Sequence, residues 1–289
     1  MRPEEDSYID RGDGIFVPRD TGIVHDEENY PEAGFDILAR MQQNHFWYVG
    51  RHRFLLTALR KVAARQQENR EPISVIDLGA GCGGWVRFLH DNEGQHLTEI
   101  AAADSSLKAL EYSRDHLNQR FSLYQADLLN LRWENRWDAV FLLDVIEHLP
   151  DDAAVMRQVH RALKPGGMVF VTVPALPFFW SYHDDIAGHK RRYAKQDFRT
   201  LAAASGFEPV LMRYFMFILS PIYFLSRLQG KSFAKMGEEE KRGHIEKAYE
   251  TPAPLVNRTL RTIFGLESHL GISLPFPWGT SLLGVFRKK

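Results

Sequence analysis

The residues whose types and spacing could do chemistry begin in VIDLGAGCGGW, residues 75–85, where an apolar run reaches Asp77 and then Gly79, Gly81 and Gly83 at alternate positions. A strand feeding a glycine-rich turn that opens a helix suits a cofactor whose polar atoms must come close to backbone, because glycine has no Cβ to block the approach. Gly79, Gly81 and Gly84 also fit the dinucleotide fingerprint GxGxxG, so the segment admits two adenosine-containing cofactors with different chemistries. Asp104, about 20 residues past the turn, does not separate them, since a carboxylate there accepts from ribose hydroxyls in either case. A second concentration of polar chemistry lies in HDDIAGHKRRY, residues 183–193. Its side chains could furnish a general base, a basic grip on an anionic acceptor, or a hydrated loop. His183, Asp184 and His189 have the composition of a metal site but no tight helical spacing, so no metal is expected.

The elements that must position these groups can be read from periodicity. Phe35, Leu38, Met41, Phe46, Val49, Leu55 and Leu59 recur at helical intervals and predict one broken helix or two before the first strand, packed over the cofactor mouth. Within them, Tyr48 and Arg51 are candidates to hold a cofactor carboxylate, because guanidinium offers a planar pair of donors; the alternative is an amphipathic helix whose aromatics are core. From residue 73 the apolar runs ISVIDL, TEIAAAD, FSLYQAD, WDAVFLLD and MVFVTVP alternate with helical patterns, which argues for crossover units and a parallel sheet buried on both faces. The aromatic and basic loop 174–193 leaves the carboxyl end of a strand, where open α/β sheets place their ligands. A helix near 194–205 and strands FEPVLMRYFMF and TSLLGVFRK follow, with a large insertion before the last strand.

The ordered motifs from Val75 to Pro174 resemble the class I S-adenosylmethionine-dependent methyltransferases. Asp77, Gly79, Ala80, Gly81 and Gly83 match that family's first motif, and Asp104 with Ser105 its ribose-binding position. Ala126 and Asp127 match its adenine-edge position, with Leu128 supplying a backbone N–H. DAVFLLDVIEHLP, residues 138–150, and the LKPGG before the next strand are similar to the subgroup of quinone-biosynthesis methyltransferases. The resemblance implies a doubly wound, Rossmann-like α/β sandwich of seven strands, the last inserted antiparallel, with added N-terminal helices and a helical insertion before the last strand. It implies S-adenosyl-L-methionine as cofactor and methyl transfer to an oxygen, nitrogen or carbon nucleophile of a small or lipid-linked molecule. Asp144 would lie near the cofactor, His148, His183 and His189 are the candidate bases, and Glu147 reads equally well as an exposed helix-cap acid. The charge pattern agrees, since Asp77 suits an ammonium and would repel a pyrophosphate. A methyltransferase-like module that binds without turnover, and a nicotinamide-dependent oxidoreductase, are the alternatives.

With 36 basic and 37 acidic side chains the net charge is −1, so no overall field draws the chain to nucleic acid. One cysteine, Cys82, excludes an intrachain disulfide, and the acidic start lacks the apolar core of a signal peptide, which together suggest a cytoplasmic protein. The expected organisation is a flexible lead-in (1–30), helices over the cofactor site (31–70), the core (71–215), a hydrophobic insertion (216–279) and the last strand (280–289). Residues 211–228 are apolar but broken by Pro221, which predicts a strand and a buried helix rather than a membrane span. With Arg227, Lys231 and Lys235 at its flank, 211–235 is also a candidate for peripheral membrane contact. Leu255, Leu260, Ile263, Phe264 and Leu270 predict a second amphipathic helix covering the site.

Overall fold

The computed structural model describes residues 7–20, 22–25, 34–64, 72–117, 121–227, 237 and 250–289. In chain order its elements are β1 (Tyr8–Asp10), β2 (Ile15–Pro18), α1 (Phe35–Asn44), α2 (Phe46–Ala64), β3 (Ile73–Leu78), α3 (Gly84–Glu93), β4 (Leu97–Asp104), α4 (Leu107–Leu117) and β5 (Ser122–Gln125). There follow β6 (Trp137–Leu143), α5 (Asp152–Ala162), β7 (Leu163–Pro174), α6 (Tyr182–Ile186), α7 (Lys195–Ala204), β8 (Phe207–Phe215), α8 (Ser220–Arg227), α9 (Pro254–Ser273) and β9 (Ser281–Lys288). The strands form one sheet in the order β1-β2-β5-β4-β3-β6-β7-β9-β8. The central strands β5, β4, β3, β6 and β7 are parallel, and β9 enters antiparallel between β7 and β8.

The apolar runs have no polar alternation because both faces are covered. Val75 and Phe141 point into one core with Phe54 and Leu55 of α2 and Phe264 of α9, whereas Ile76, Leu78, Val140 and Leu142 join the other with Val155 and Val159 of α5 and Phe198 of α7. Crossovers start cleanly: the Ala154 N–H donates to Asp151 Oδ1 at 2.7 Å, which caps α5. All parallel strands therefore end on one edge, and their following loops meet there.

Among the described residues the sheet has nine strands rather than seven. The described part of the segment expected to be a flexible lead-in is a hairpin, with β1 antiparallel to β2 and β2 parallel to β5. Runs of three and four residues are too short to display a strand period, which is why the sequence pattern missed them. Tertiary contacts hold them instead: Tyr8 stacks on Trp133 at 5.5 Å, Arg11 reaches Glu111 at 3.1 Å, Arg114 reaches Asp13 at 2.7 Å and Arg132 reaches Asp20 at 2.7 Å.

The predicted break between the N-terminal helices falls at His45, whose backbone is extended between α1 and α2. In the insertion, α8 is not buried as expected; Ile222 and Leu225 are 61% and 62% exposed. α9 buries Phe264 against Gly50 of α2, while Leu255 and Leu270 face outward, so its apolar residues serve two faces. Lys231, Lys235 and the side chain of Arg227 lie outside the described residues. Among the described residues no helix is long and apolar enough to cross a membrane.

Candidate functional site

At the carboxyl edge, Gly79, Gly81 and Gly83 all take positive φ (72°, 54° and 73°), conformations that side chains resist. A Cβ on Gly79 would lie 2.7 Å from Val145, and one on Gly84 would lie 2.7 Å from Gln42 of α1. Gln42 Oε1 accepts from the Gly84 N–H at 3.1 Å. The third glycine of the GxGxxG pattern thus serves close packing of α1 across the turn, and the dinucleotide spacing has a structural cause. Gly79 and Ala80 N–H donate to Ala103 O at 2.8 and 3.1 Å, tying the turn to β4.

Two carboxylates flank the turn. Asp104 Oδ2 accepts from the Gly81 N–H at 2.8 Å and Oδ1 from the Ser106 N–H at 2.9 Å, so it clamps two loops. Helix α4 is capped by Ser106, whose Oγ accepts from Ala109 N–H at 3.2 Å, which leaves Asp104 free of a helix-capping role. Burial raises the Asp104 carboxyl above its ordinary pKa. Asp77 is 3% exposed, and its Oδ1 has no hydrogen-bond partner. Burial pushes its carboxyl up to about 8, against the opposing charge of Arg51 and with the help of Asp104. An orphaned, buried carboxylate beside a turn of three glycines is what a cofactor ammonium would satisfy.

The remaining adenosine-side candidates are arranged along the same edge. Ser105 follows Asp104; its carbonyl accepts from Gln125 Nε2 at 3.0 Å. Asp127 is exposed and accepts from the Leu129 N–H at 2.9 Å, closing its own turn, and Leu128 is partly buried against the core.

Arg51, 4% exposed, lies over the rings of Trp47 and Tyr48 at 4.9 and 5.3 Å and pairs with Asp144. It also donates to Leu143 O at 3.3 Å, while its Nε has no partner. Asp144 directly follows β6 with φ of 59° and accepts from Thr172 Oγ1 at 3.2 Å. A non-glycine residue held there over-determines the loop that follows.

That loop contains Glu147, which reverses the expectation of an exposed acid: it is 0% exposed, and neither carboxylate oxygen has a hydrogen-bond partner. Burial and the neighbouring Asp144 charge hold its carboxyl well above the usual range. The segment 183–193 folds back onto it. Lys190 N–H donates to Glu147 O at 2.8 Å, and His189 Nε2 lies 4.0 Å from Glu147 Oε1. His189 Nδ1 meets Asp184 Oδ1 at 2.8 Å, and the His148 ring lies 4.9 Å from that of His189. Burial lowers His148 to about 3, so it is neutral at physiological pH.

The two arginines of this segment bind within the fold. Arg192, 7% exposed, grips both oxygens of Asp184 at 2.8 and 3.0 Å and donates to Ala175 O at 3.0 Å; Arg191 donates to Leu149 O and Pro150 O. Tyr193 donates to Asp152 at 2.7 Å. Burial alone would raise Asp184, but His189, Arg192 and the Ser181 N–H outweigh it and hold the carboxylate at about 2. Of the trio His183, Asp184 and His189, Asp184 is engaged by these partners, and the His183 ring lies tilted 4.1 Å from that of Tyr182. Among the described residues, Glu147, His148 and His189 bring ligand atoms within 4.8 Å of one another, a grouping that could hold an ion. Sequence reasoning had no signal for Glu147, because burial of a loop residue depends on a segment 40 residues downstream.

Residues 49–211, over half of the chain, match a family model described as a methyltransferase domain. The chain belongs to the methyltransferase-domain family. Among curated relatives it is similar to phosphoethanolamine N-methyltransferase 2 of Caenorhabditis elegans, 30% identical over 166 residues, covering 55% of this chain and 37% of the relative. It is also similar to the ubiquinone biosynthesis O-methyltransferase of Pseudomonas paraeruginosa, 30% identical over 100 residues, covering 33% of this chain and 42% of the relative. The chain thus spans well under two thirds of these relatives' lengths. In fold, this family member is like Haemonchus contortus phosphoethanolamine N-methyltransferase 2 in complex with S-adenosyl-L-methionine. That likeness has a TM-score of 0.56 at 18% identity and covers 94% of this chain and 61% of the other.

Proposed function

We propose that this protein transfers the sulfonium methyl group of S-adenosyl-L-methionine to an oxygen, nitrogen or carbon nucleophile on a small or lipid-linked acceptor. The observation that carries the reading is Asp77: a buried carboxylate with an unpartnered oxygen, beside three left-handed glycines and a second carboxylate, Asp104. These residues fit the cofactor, Asp77 accepting from its ammonium and Asp104 from its ribose. When bound, the cofactor supplies an already activated methyl group, so the protein's task is in-line positioning and exclusion of water. The Arg51–Asp144 pair fixes the loop after β6 on the acceptor side.

Where the acceptor must lose a proton, His189 is the base. Asp184 holds Nδ1 as the donor and leaves the Nε2 lone pair directed toward Glu147 and the acceptor side. His148 remains neutral beside it.

The acceptor's lipid character is supported by the surface of the insertion. Phe178 (73% exposed) stacks on Phe224 at 5.1 Å, and Trp180, Ile218, Ile222, Leu225, Leu270, Leu274 and Trp278 are exposed on the neighbouring segments. The segments are joined, because Phe217 stacks on Phe276 at 4.7 Å and Glu267 of α9 accepts from the Phe217 and Ile218 N–H groups at 3.0 and 2.9 Å. An apolar face of this kind suits peripheral contact with a membrane that presents the acceptor.

Incubation of the chain with methyl-labelled cofactor and a bacterial lipid extract, followed by solvent partition, tests the reading. Label in the organic phase supports it. Transfer confined to water-soluble acceptors removes the lipid part, and no transfer to any fraction removes the activity.

A further inference from the structure

The described residues before α1 hold an arrangement that the methyl-donor site does not by itself require. Because β2 runs parallel to β5, the chain leaves β2 at the edge where the ligand loops gather. Arg19 N–H donates to Ser7 O at 3.1 Å and Asp20 pairs with Arg132, which fix the exit. The chain then crosses the ends of the next two strands in order. Ile23 O accepts from Gln125 Nε2 at 3.5 Å, at the end of β5, and His25 Nδ1 meets Ser105 Oγ at 2.9 Å, just past the end of β4. Gln125 Nε2 also donates to Ser105 O, so strap, β5 and β4 share one small network. The path from the β5 end to the β4 end is the one an adenosine would follow, from the Asp127–Leu128 turn to the Asp104 carboxylate.

We infer that residues 22–25 form a strap across the adenosine half of the cofactor site, and that His25 is its positioning residue, fixing Ser105 and covering the ribose carboxylate Asp104. Three observations support it independently. His25 is partly buried 80 positions away in sequence from its partner, which a loose terminus would not produce. Its ring faces Asp104, where a positive charge on it would oppose the burial that raises that carboxyl. Its ring also lies 6.3 Å from that of Phe35, the first residue of α1, the helix that closes over Gly81 and Gly84 through Leu38 and Gln42. Strap and α1 therefore meet beside the glycine turn.

The inference rests on the proposed cofactor reading, and the tests keep the two apart. Wild-type chain is first titrated with S-adenosylhomocysteine; absence of binding there would count against the cofactor reading itself. Given binding, His25→Ala is expected to weaken it about tenfold, the loss of one good hydrogen bond. The same variant should raise KM for the donor with kcat within about twofold, and His25→Asn, which keeps a hydrogen-bonding amide near the Nδ1 position, should recover most of the loss. Independently of any substitution, carbethoxylation of His25 in wild-type chain, read by peptide mass, should slow several-fold when S-adenosylhomocysteine is present. Unchanged His25 reactivity with bound ligand overturns the strap, as does a His25→Ala variant that binds like wild type or loses kcat at constant KM.

Discussion

The surroundings of Asp77 and His189 support the tasks proposed for them. Asp77 is pushed up to about 8 by burial, so it is mostly protonated at neutral pH without ligand, and an ammonium placed against Oδ1 favours the ionised form. Binding below about pH 8 is therefore expected to release a proton and to strengthen as pH rises toward 8, then level off. Titrations in buffers of differing ionisation enthalpy measure the release directly, and Asp77→Asn should abolish it while weakening binding at least tenfold, the scale of a charge-assisted hydrogen bond. For His189, replacement by Gln should lower kcat by about 10²-fold on an acceptor that must be deprotonated and leave S-adenosylhomocysteine affinity unchanged. An equal loss in both would mean that His189 only supports the fold. At this scale the glycines and Asp104 were legible, because backbone proximity demands those residue types in that order. Glu147 and His25 were not, since each acquires its surroundings from a distant segment, 183–193 for one and Ser105 for the other.

At the scale of elements, the site depends on helices laid across the sheet edge. Gly50 in α2 lets Phe264 of α9 approach so closely that a Cβ would lie 2.0 Å from the ring. Gly50→Ala is expected to cost about 1–3 kcal/mol by overpacking, outweighing the helix propensity that alanine adds, and thermal unfolding will show the lowered Tm. The 183–193 segment is held by the buried Asp184 carboxylate. Its folded pKa of about 2 lies below the ordinary carboxylate value, so this stabilisation is complete above about pH 4 and is lost as pH falls toward 2. Acid titration followed by Trp180 fluorescence should show the segment releasing in that window, and Asp184→Asn should remove the transition. Long periodic elements such as α2, α5 and β7 could be read because burial on a fixed face repeats along them. The hairpin β1–β2 could not, since three or four residues carry no period and its register comes from β5 and from ion pairs to α4 and Arg132.

Over the whole molecule, the exposed large hydrophobics cluster on one region. Outside the 178–180 loop, residue 218, α8, α9 and the residues just after α9, those among the described residues are Ile9, Val24 and Leu129. In the proposed reading, the apolar face and the acceptor side share the 174–193 loop, which would bring a membrane-bound acceptor to the site. Replacing Phe178, Ile222 and Leu225 by Ser should abolish sedimentation with liposomes and leave cofactor affinity intact; cosedimentation equal to wild type would remove the membrane contact. Calorimetric titration of the purified chain with S-adenosylhomocysteine probes the methyl-donor site directly. Saturable binding at one site per chain, lost on Asp104→Asn, is the predicted result, and the absence of binding at millimolar ligand would contradict it.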